Sequence, residues 1–223
     1  RPPRSTLFPY TTLFRSDTEE QKKMRISSAI NDKAMAKFKG LIHEGVSEKE
    51  VADQMLQIYL DLGADGYSFE PLVAFGANAA DPHHSPDDTV VKPGDCVLFD
   101  VGCIKDGYCS DMTRTVALGQ PSPEMEKVYA AVLAAQRAGI QAARAGVSGR
   151  EVDGAARRVL REAGYGDYFT HSFGHSLGVD IHESPNASPS EDRVLPVWAP
   201  WCPPSRVSTC PGNSASALRT CWS

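Results

Sequence analysis

Two aspartates stand where a β-sheet usually holds apolar side chains. Asp100 ends the apolar run CVLFD, and Asp111 directly precedes the strand-like run MTRTV. Between them, Asp106-Gly107 is a strong signal for a two-residue hairpin turn. That turn places Asp100 opposite Thr113. Asp111 then points to the same face of the sheet as Asp100, diagonally across the ladder.

Two carboxylates this close repel each other and lose hydration if the sheet is buried. Such burial is costly unless the charges are neutralised, paired or bound to a metal. Arg114 points to the opposite face from Asp111, so it is a poor partner. The pattern therefore predicts ligands for one divalent cation, or for two about 3.5–4 Å apart that lower the pKa of a bridging water. The alternative is an edge hairpin whose aspartates face water.

A second candidate segment, THSFGHSLGVDIHESP at 170–185, contains half of the chain's six histidines: His171, His175 and His182. Glycines 174 and 178 argue against a helix, so this is not a helical zinc motif. Three histidines within twelve residues of an acidic protein favour a metal site over isolated structural histidines. GHSLG also matches the G-x-S-x-G elbow of α/β-hydrolases, but a strand pattern follows it and no histidine occurs after His182.

The elements that must position these residues include an internal repeat. EGVSEKEVADQ at 44–54 is echoed by AGVSGREVDGA at 145–155, and each Ser-x-x-Glu predicts a capping box at a helix start. Gly63 and Gly164 predict the two helix ends at one shared offset. The patterns DGYSFEPLVAF and GDYFTHSF predict a strand after each helix. The sequence therefore predicts a duplicated α/β unit.

Other segments frame this repeat. Apolar spacing predicts long helices at 18–43 and 123–144, and the proline-rich stretch 70–95 predicts loops with short strands. Residues 1–16 contain TLFPYTTLFRS, which looks like a translated sequencing adapter and predicts a non-native leader. Residues 199–223 contain no acidic residue and no lysine.

The charge and the apolar pattern argue against two classes of protein, and the cysteines indicate a cellular compartment. The two ends hold five of the 23 basic residues and no acidic one, so 28 acidic residues face 18 basic residues elsewhere. An acidic domain of this kind is not expected to bind nucleic acid, and no apolar run is long enough to span a bilayer. Cys96, Cys103 and Cys109 lack a CxxC pair, which favours a reducing compartment, the cytoplasm.

The hairpin, the histidine strand and the duplication together resemble the pita-bread (M24-type) metallopeptidases, in particular the Xaa-Pro branch of proline dipeptidase and aminopeptidase P. The resemblance covers about residues 17–198. It implies an α+β fold in which duplicated α/β halves surround a curved antiparallel sheet with pseudo-two-fold symmetry, truncated here at the C-terminus. It also implies hydrolysis of Xaa-Pro bonds in short proline-containing peptides, and a possible homodimer.

The resemblance also assigns residues. FDVG…DGYCSDMTRT and FGHSLGVDIHESP are similar to the family's metal segments, which implies Asp100, Asp111 and His175 as ligands. The family's cofactor is a pair of divalent ions, most often manganese or cobalt, sometimes zinc or iron.

Three histidines take catalytic roles by the same resemblance. His182 would stabilise the substrate carbonyl as the tetrahedral intermediate forms. FGANAADPHH resembles the loop that lends a histidine to the substrate, with His83 preferred over His84. His171 would line the pocket for the residue after the scissile bond.

Two further ligands of the family, both glutamates, are missing from the chain. They belong to segments like T-x-E-P-G-x-Y and G-V-R-I-E-D, whereas no acidic residue follows Asp192 here. Read in a frame shifted by one base, codons allowed by the tail can spell AVVPTEPGVYLPGEFGVRIEDMLV. We therefore expect an incomplete catalytic domain at 17–198, a frameshifted tail at 199–223, and negligible activity for the chain as it stands. Methionine aminopeptidase, a non-catalytic pita-bread binding protein and, more weakly, creatinase-like hydrolysis are the alternatives.

The frameshift makes a prediction about the coding DNA. Sequencing the source DNA across the codons for Val197 and Trp198 should reveal a one-base slip, since only a slip restores both glutamate segments in order. An intact frame at these codons would refute the hypothesis.

Overall fold

The structure of the protein, a computed structural model, describes residues 16–195. The predicted leader, apart from Ser16, and the predicted frameshifted tail lie outside the described residues. The helices are α1 (Thr18–Lys39), α2 (Glu48–Asp61), α3 (Pro123–Ala142) and α4 (Gly149–Glu162). The strands are β1 (Gly66–Tyr67), β2 (Leu72–Phe75), β3 (Cys96–Val101), β4 (Cys103–Lys105), β5 (Tyr108–Cys109), β6 (Met112–Ala117), β7 (Gly174–Ser176) and β8 (Glu183–Ala187). None of the described helices is long and apolar enough to cross a membrane.

The aspartate hairpin has the predicted register. β3 pairs with β6 so that Asp100 lies opposite Thr113, and β4 continues the same register with β5. Asp106 and Gly107 have φ angles of 50° and 78°, the left-handed conformation that a two-residue hairpin turn requires. The turn chemistry alone therefore predicted which residues of the two strands face each other.

The ladder is interrupted at one point, where Gly102 separates β3 from β4 opposite Asp111. A Cβ atom at Gly102 would lie 2.1 Å from the carbonyl oxygen of Ser110 and 2.2 Å from the Oγ of Ser68. The Ser68 hydroxyl donates to that same carbonyl over 2.7 Å. Only glycine lets the chain come this close, and the backbone next to Asp111 is fixed by this contact.

The main sheet has the order β2-β3-β6, with β3 in the centre. On one face, Val97 and Phe99 pack against Phe38 of α1 and Tyr59 of α2. On the other face, Leu72 and Leu98 pack with Met125 of α3 in a smaller cluster. Because side chains alternate along a strand, Asp100 lies on this second face, away from α1 and α2.

Polar residues of α1 stabilise the hairpin at the interruption. Ser27 donates to the carbonyl of Cys103 and Asn31 donates to the carbonyl of Val101, on either side of Gly102. The hydroxyl of Tyr59 donates to Asn31 over 2.6 Å, which completes a buried network. Two strand carbonyls beside the interruption thus accept hydrogen bonds from the helix.

The predicted duplication is present in the fold. Ser47 and Ser148 each form a complete capping box, and the two helices that follow have 14 residues each. Gly63 and Gly164 follow them with φ angles of 89° and 87°. In the second half, α3 and α4 pack around their own core, which includes the buried Phe173.

Three predictions about secondary-structure elements were wrong. The second long helix ends at Ala142 rather than at residue 144. The first helix ends at Lys39 rather than at residue 43, because Gly40 caps it. The pattern GDYFTHSF is not a strand: Gly166–Tyr168 forms a short 3-10 turn and β7 begins only at Gly174. Side chains of α4 bind the main chain of this segment and replace a strand partner, so its aromatic residues pack without entering a sheet.

The crowding at Gly102 makes a stability prediction. Gly102→Ala should lower the free energy of unfolding by about 1–3 kcal/mol or more, since its Cβ would overlap backbone. Gly154→Ala is the matched control, because nothing lies within 4 Å of its added Cβ and it sits inside α4. This control should raise stability by about 0.5–1 kcal/mol. Urea unfolding checks both, and equal effects would contradict the close approach.

Candidate metal centre

Asp100 is a buried carboxylate of the central strand. It is 5% exposed, and one of its oxygens accepts a hydrogen bond of 2.6 Å from the Thr113 hydroxyl across the ladder. The strand lies between β2 and β6, so the alternative of edge aspartates facing water is wrong.

The carboxyl group of Asp111 is buried in an environment that disfavours its charge. Its side chain is 7% exposed, and burial raises the pKa of its carboxyl to about 7. Its Oδ1 atom is buried and has no hydrogen-bond partner among the described residues. Its Oδ2 atom lies 3.5 Å from Nε2 of His175. A buried carboxylate oxygen without a donor is costly, and a cation beside it would remove that cost.

His175 presents a lone pair to the same point. Its Nδ1 atom lies 3.1 Å from the carbonyl oxygen of Ser176, so Nδ1 carries the proton and donates it there. Burial lowers the pKa of the imidazole, which favours its neutral form. A neutral histidine that donates one ring N–H to a carbonyl and directs the other nitrogen outward has the usual arrangement of a metal ligand.

The histidine hairpin is attached directly to the aspartate hairpin. The amide of Cys109 in β5 donates to the carbonyl of Gly178, between β7 and β8, over 2.8 Å. The ring of His182 lies 4.3 Å from the ring of His175, measured between centroids. Three of the predicted residues, Asp111, His175 and His182, therefore lie together, and Asp100 joins them through the strand register.

The other two predicted histidines make different local contacts. His171 packs the edge of its ring against Phe169, and its Nδ1 atom lies 2.8 Å from the carbonyl of Ser172. His83 is exposed, and its amide donates to Asp81. In residues 16–195 no hydrogen bond or ion pair joins His83 to Asp111 or His175.

The sequence did not single out a second cluster, formed by Glu48, His84 and Asp87. One ligand atom of each lies within 4.8 Å of the others, a spacing that could hold an ion. However, the Glu48 carboxylate is fully buried and already accepts hydrogen bonds from four groups: the amides of Phe75 and Asp87, the Asn78 side chain and Nε2 of His84. These donors satisfy the Glu48 carboxylate, so it stabilises the loop. Asp111, in contrast, has an oxygen without a donor among the described residues.

The donor chemistry at Asp111 fits a divalent cation. Two carboxylates and a neutral imidazole suit manganese, cobalt, zinc or iron, and the site contains an unsatisfied buried oxygen. No described lysine or arginine forms an ion pair with Asp111, so residues 16–195 do not supply the missing positive charge.

Comparisons with known proteins agree with this chemistry. A family model described as metallopeptidase family M24 matches residues 22–197. An Xaa-Pro dipeptidase of Lactobacillus delbrueckii subsp. lactis is 38% identical over 192 residues, 86% of this chain and 52% of that protein. An uncharacterized peptidase of Staphylococcus aureus strain MSSA476 is 39% identical over 177 residues, 79% of this chain and 50% of that protein.

Two solved structures have the same fold. The X-Pro aminopeptidase from Thermotoga maritima MSB8 superposes with a TM-score of 0.80 at 37% identity, over 83% of this chain and 53% of that one. The prolidase from Pyrococcus furiosus gives a TM-score of 0.80 at 36% identity, over 82% and 55%. The expected pita-bread fold is confirmed, and the chain spans about half the length of the curated relatives it matches.

The burial of Asp111 predicts how the metal-free fold responds to pH. In the unfolded chain this carboxyl ionises near pH 4, whereas the folded state keeps the proton up to about pH 7. Stability without metal therefore falls as pH rises between these values. Asp111→Asn should remove this loss, so its advantage over the unmodified chain in urea unfolding with EDTA should grow by about 2 kcal/mol from pH 5 to pH 8.

The matched control is Asp106→Asn, an exposed aspartate in the turn of the same hairpin. This control should show no such growing difference. An Asp111→Asn variant that is less stable than the unmodified chain at pH 8 without metal would contradict the account.

Proposed function

Because the chain belongs to metallopeptidase family M24, we propose that it carries part of the active site of a metal-dependent Xaa-Pro peptidase. The observation that supports this most strongly is the buried Asp111 carboxylate, with one unsatisfied oxygen and the other 3.5 Å from a neutral His175. Relatives named Xaa-Pro dipeptidase, prolidase and X-Pro aminopeptidase support the substrate class.

We propose Asp100, Asp111 and His175 as the residues that would hold the divalent ions, manganese or cobalt before zinc or iron. When bound, such ions supply Lewis-acid polarisation of the scissile carbonyl and lower the pKa of a bound water. The protein's own contribution is to keep His175 neutral by burial and to fix its orientation through Ser176. The interruption at Gly102 keeps Asp111 pointing to the same site.

Three histidines are proposed for the substrate. His182, whose ring lies beside that of His175, is proposed to donate a hydrogen bond to the oxyanion that develops on the scissile carbonyl. His83 is the better candidate in its loop, because Nε2 of His84 is held 2.5 Å from Glu48. His171 is proposed to line the pocket for the residue after the scissile bond.

Short proline-containing peptides are the proposed substrates, and the cytoplasm is the proposed location, since Cys96, Cys103 and Cys109 are buried free thiols. Dimerisation is proposed from the family resemblance. Methionine aminopeptidase is the competing activity in this fold. The names of the matching relatives favour the Xaa-Pro branch, as does the close spacing of the two glutamates in the frame-shifted text.

The 223-residue polypeptide should show negligible activity, because no carboxylate follows Asp192 to complete a pair of metal sites. A version of residues 17–198 continued by the frame-restored text should hydrolyse an Xaa-Pro dipeptide with added manganese. In that version His175→Ala should lower kcat/KM by more than about 100-fold, beyond the effect typical of an outer-shell residue. Initial rates with an Xaa-Pro dipeptide, a longer Xaa-Pro peptide and a Met-Ala peptide are the measurement.

The substrates separate the candidate functions. Preference for the dipeptide indicates a dipeptidase, preference for the longer peptide indicates an aminopeptidase, and preference for Met-Ala would overturn the Xaa-Pro proposal. A restored chain that binds manganese but cleaves none of the three peptides would support a binding protein. Clear hydrolysis by the 223-residue polypeptide would contradict the predicted need for the two glutamates.

A further inference from the structure

We propose that Arg157 and Asp153 of α4 act as a pair of positioning residues for His175. The pair fixes the main chain just before β7 and thereby sets where the imidazole meets Asp111. Neither residue contacts Asp111 or His175 in the hydrogen bonds and ion pairs of the described chain. The proposal rests on the proposed role of His175 as a metal ligand, and its central readout does not require metal.

The pair itself is a buried two-point ion pair. Asp153 is 1% exposed, and the side chain of Arg157, one helical turn later, is 22% exposed. Nε of Arg157 donates to one carboxylate oxygen over 2.8 Å, and a terminal nitrogen donates to the other over 3.1 Å. A fork of two parallel hydrogen bonds fixes the orientation of both side chains, whereas a contact with a single point charge such as an ammonium group does not.

The other hydrogen bonds of the pair go to the segment 169–173. The two terminal nitrogens of Arg157 donate to the carbonyls of Phe169 and His171 over 2.7 Å and 2.8 Å. Asp153 accepts the amide of Phe173 over 2.9 Å. The guanidinium also stacks over the Phe169 ring at 4.3 Å. Side chains of α4 thus satisfy the backbone groups that a strand partner would otherwise satisfy.

The histidine strand needs such a support because its own ladder is weak. β7 has three residues, and its pairing with β8 shifts register between His175 and Ser176. A short, irregular ladder specifies position poorly. His175 follows Phe173 by only two residues, so the contacts at 169–173 decide where β7 begins and where Nε2 of His175 points.

A second arginine of the same helix, Arg150, forms an ion pair that allows a matched comparison. Arg150 binds Asp192 over 2.8 Å, but both side chains are exposed, at 56% and 75%. Arg150 makes no hydrogen bond to the segment 169–173 in the described chain. Arg150→Ala therefore removes an arginine–aspartate pair from α4 without touching the support of the histidine strand.

The test is made on the 223-residue chain by NMR without metal. The rings of His175 and His182 lie 4.3 Å apart, so their ring protons should show a nuclear Overhauser effect. Arg157→Ala should abolish this cross-peak while circular dichroism shows intact helices. Arg157→Lys, which cannot form the fork, should reduce it, and Arg150→Ala should leave it unchanged.

Titration with Co²⁺ is the second readout. Arg157→Ala should weaken Co²⁺ binding by about 10–100-fold relative to both the unmodified chain and Arg150→Ala, as for other residues that orient a metal ligand. If the unmodified chain binds no measurable Co²⁺, as the lack of the two glutamate ligands would explain, the cross-peak alone decides the role of the pair.

The outcomes are distinct. A folded Arg157→Ala variant that keeps the cross-peak overturns the proposal, because the pair would then be merely stabilising. If Arg157→Ala does not fold, Asp153→Asn decides, since it keeps the side-chain size and weakens the fork: loss of the cross-peak supports the proposal, and an unchanged cross-peak overturns it.

Discussion

The site depends on one unfavourable interaction, the burial of the Asp111 carboxylate without a lysine or arginine partner among the described residues. Its unsatisfied oxygen and its raised pKa are costs that the fold of the isolated chain carries. Several features keep the carboxylate in this position. Gly102 allows the close backbone approach opposite it, and Cys109 binds the histidine hairpin to its strand. Such costs are characteristic of sites where a ligand supplies what the protein leaves out.

The duplicated halves meet the same structural problem in related ways. Each has a capping-box helix, and each helix contributes a buried carboxylate that accepts main-chain amides from a later segment. Glu48 of α2 accepts amides at both ends of the loop that contains His83, and Asp153 of α4 accepts the amide next to the histidine strand. The two acids occupy different positions in their helices, so the two halves use the same kind of contact with residues that do not correspond.

Local chemistry explains which features could be predicted from the sequence. The backbone preference of Asp106-Gly107 sets the hairpin register. Ser47 and Ser148 set the helix starts through hydrogen bonds with the residue three positions later. The segment 166–173 was assigned to a strand because its aromatic residues suit one. Its actual path depends on Arg157, which is adjacent only after α4 has packed. The cluster around Glu48 was missed for the same reason, since its donors come from a distant loop.

The central claim is that Asp100, Asp111 and His175 face one shared cation position. Anomalous diffraction at the manganese edge, from crystals of the frame-restored chain soaked in Mn²⁺, tests it most directly. The account predicts an anomalous peak at coordination distance from Asp111 and Nε2 of His175, on the face of the sheet that carries Asp100. A peak only at Glu48, His84 and Asp87, or no peak between the two hairpins, would contradict it.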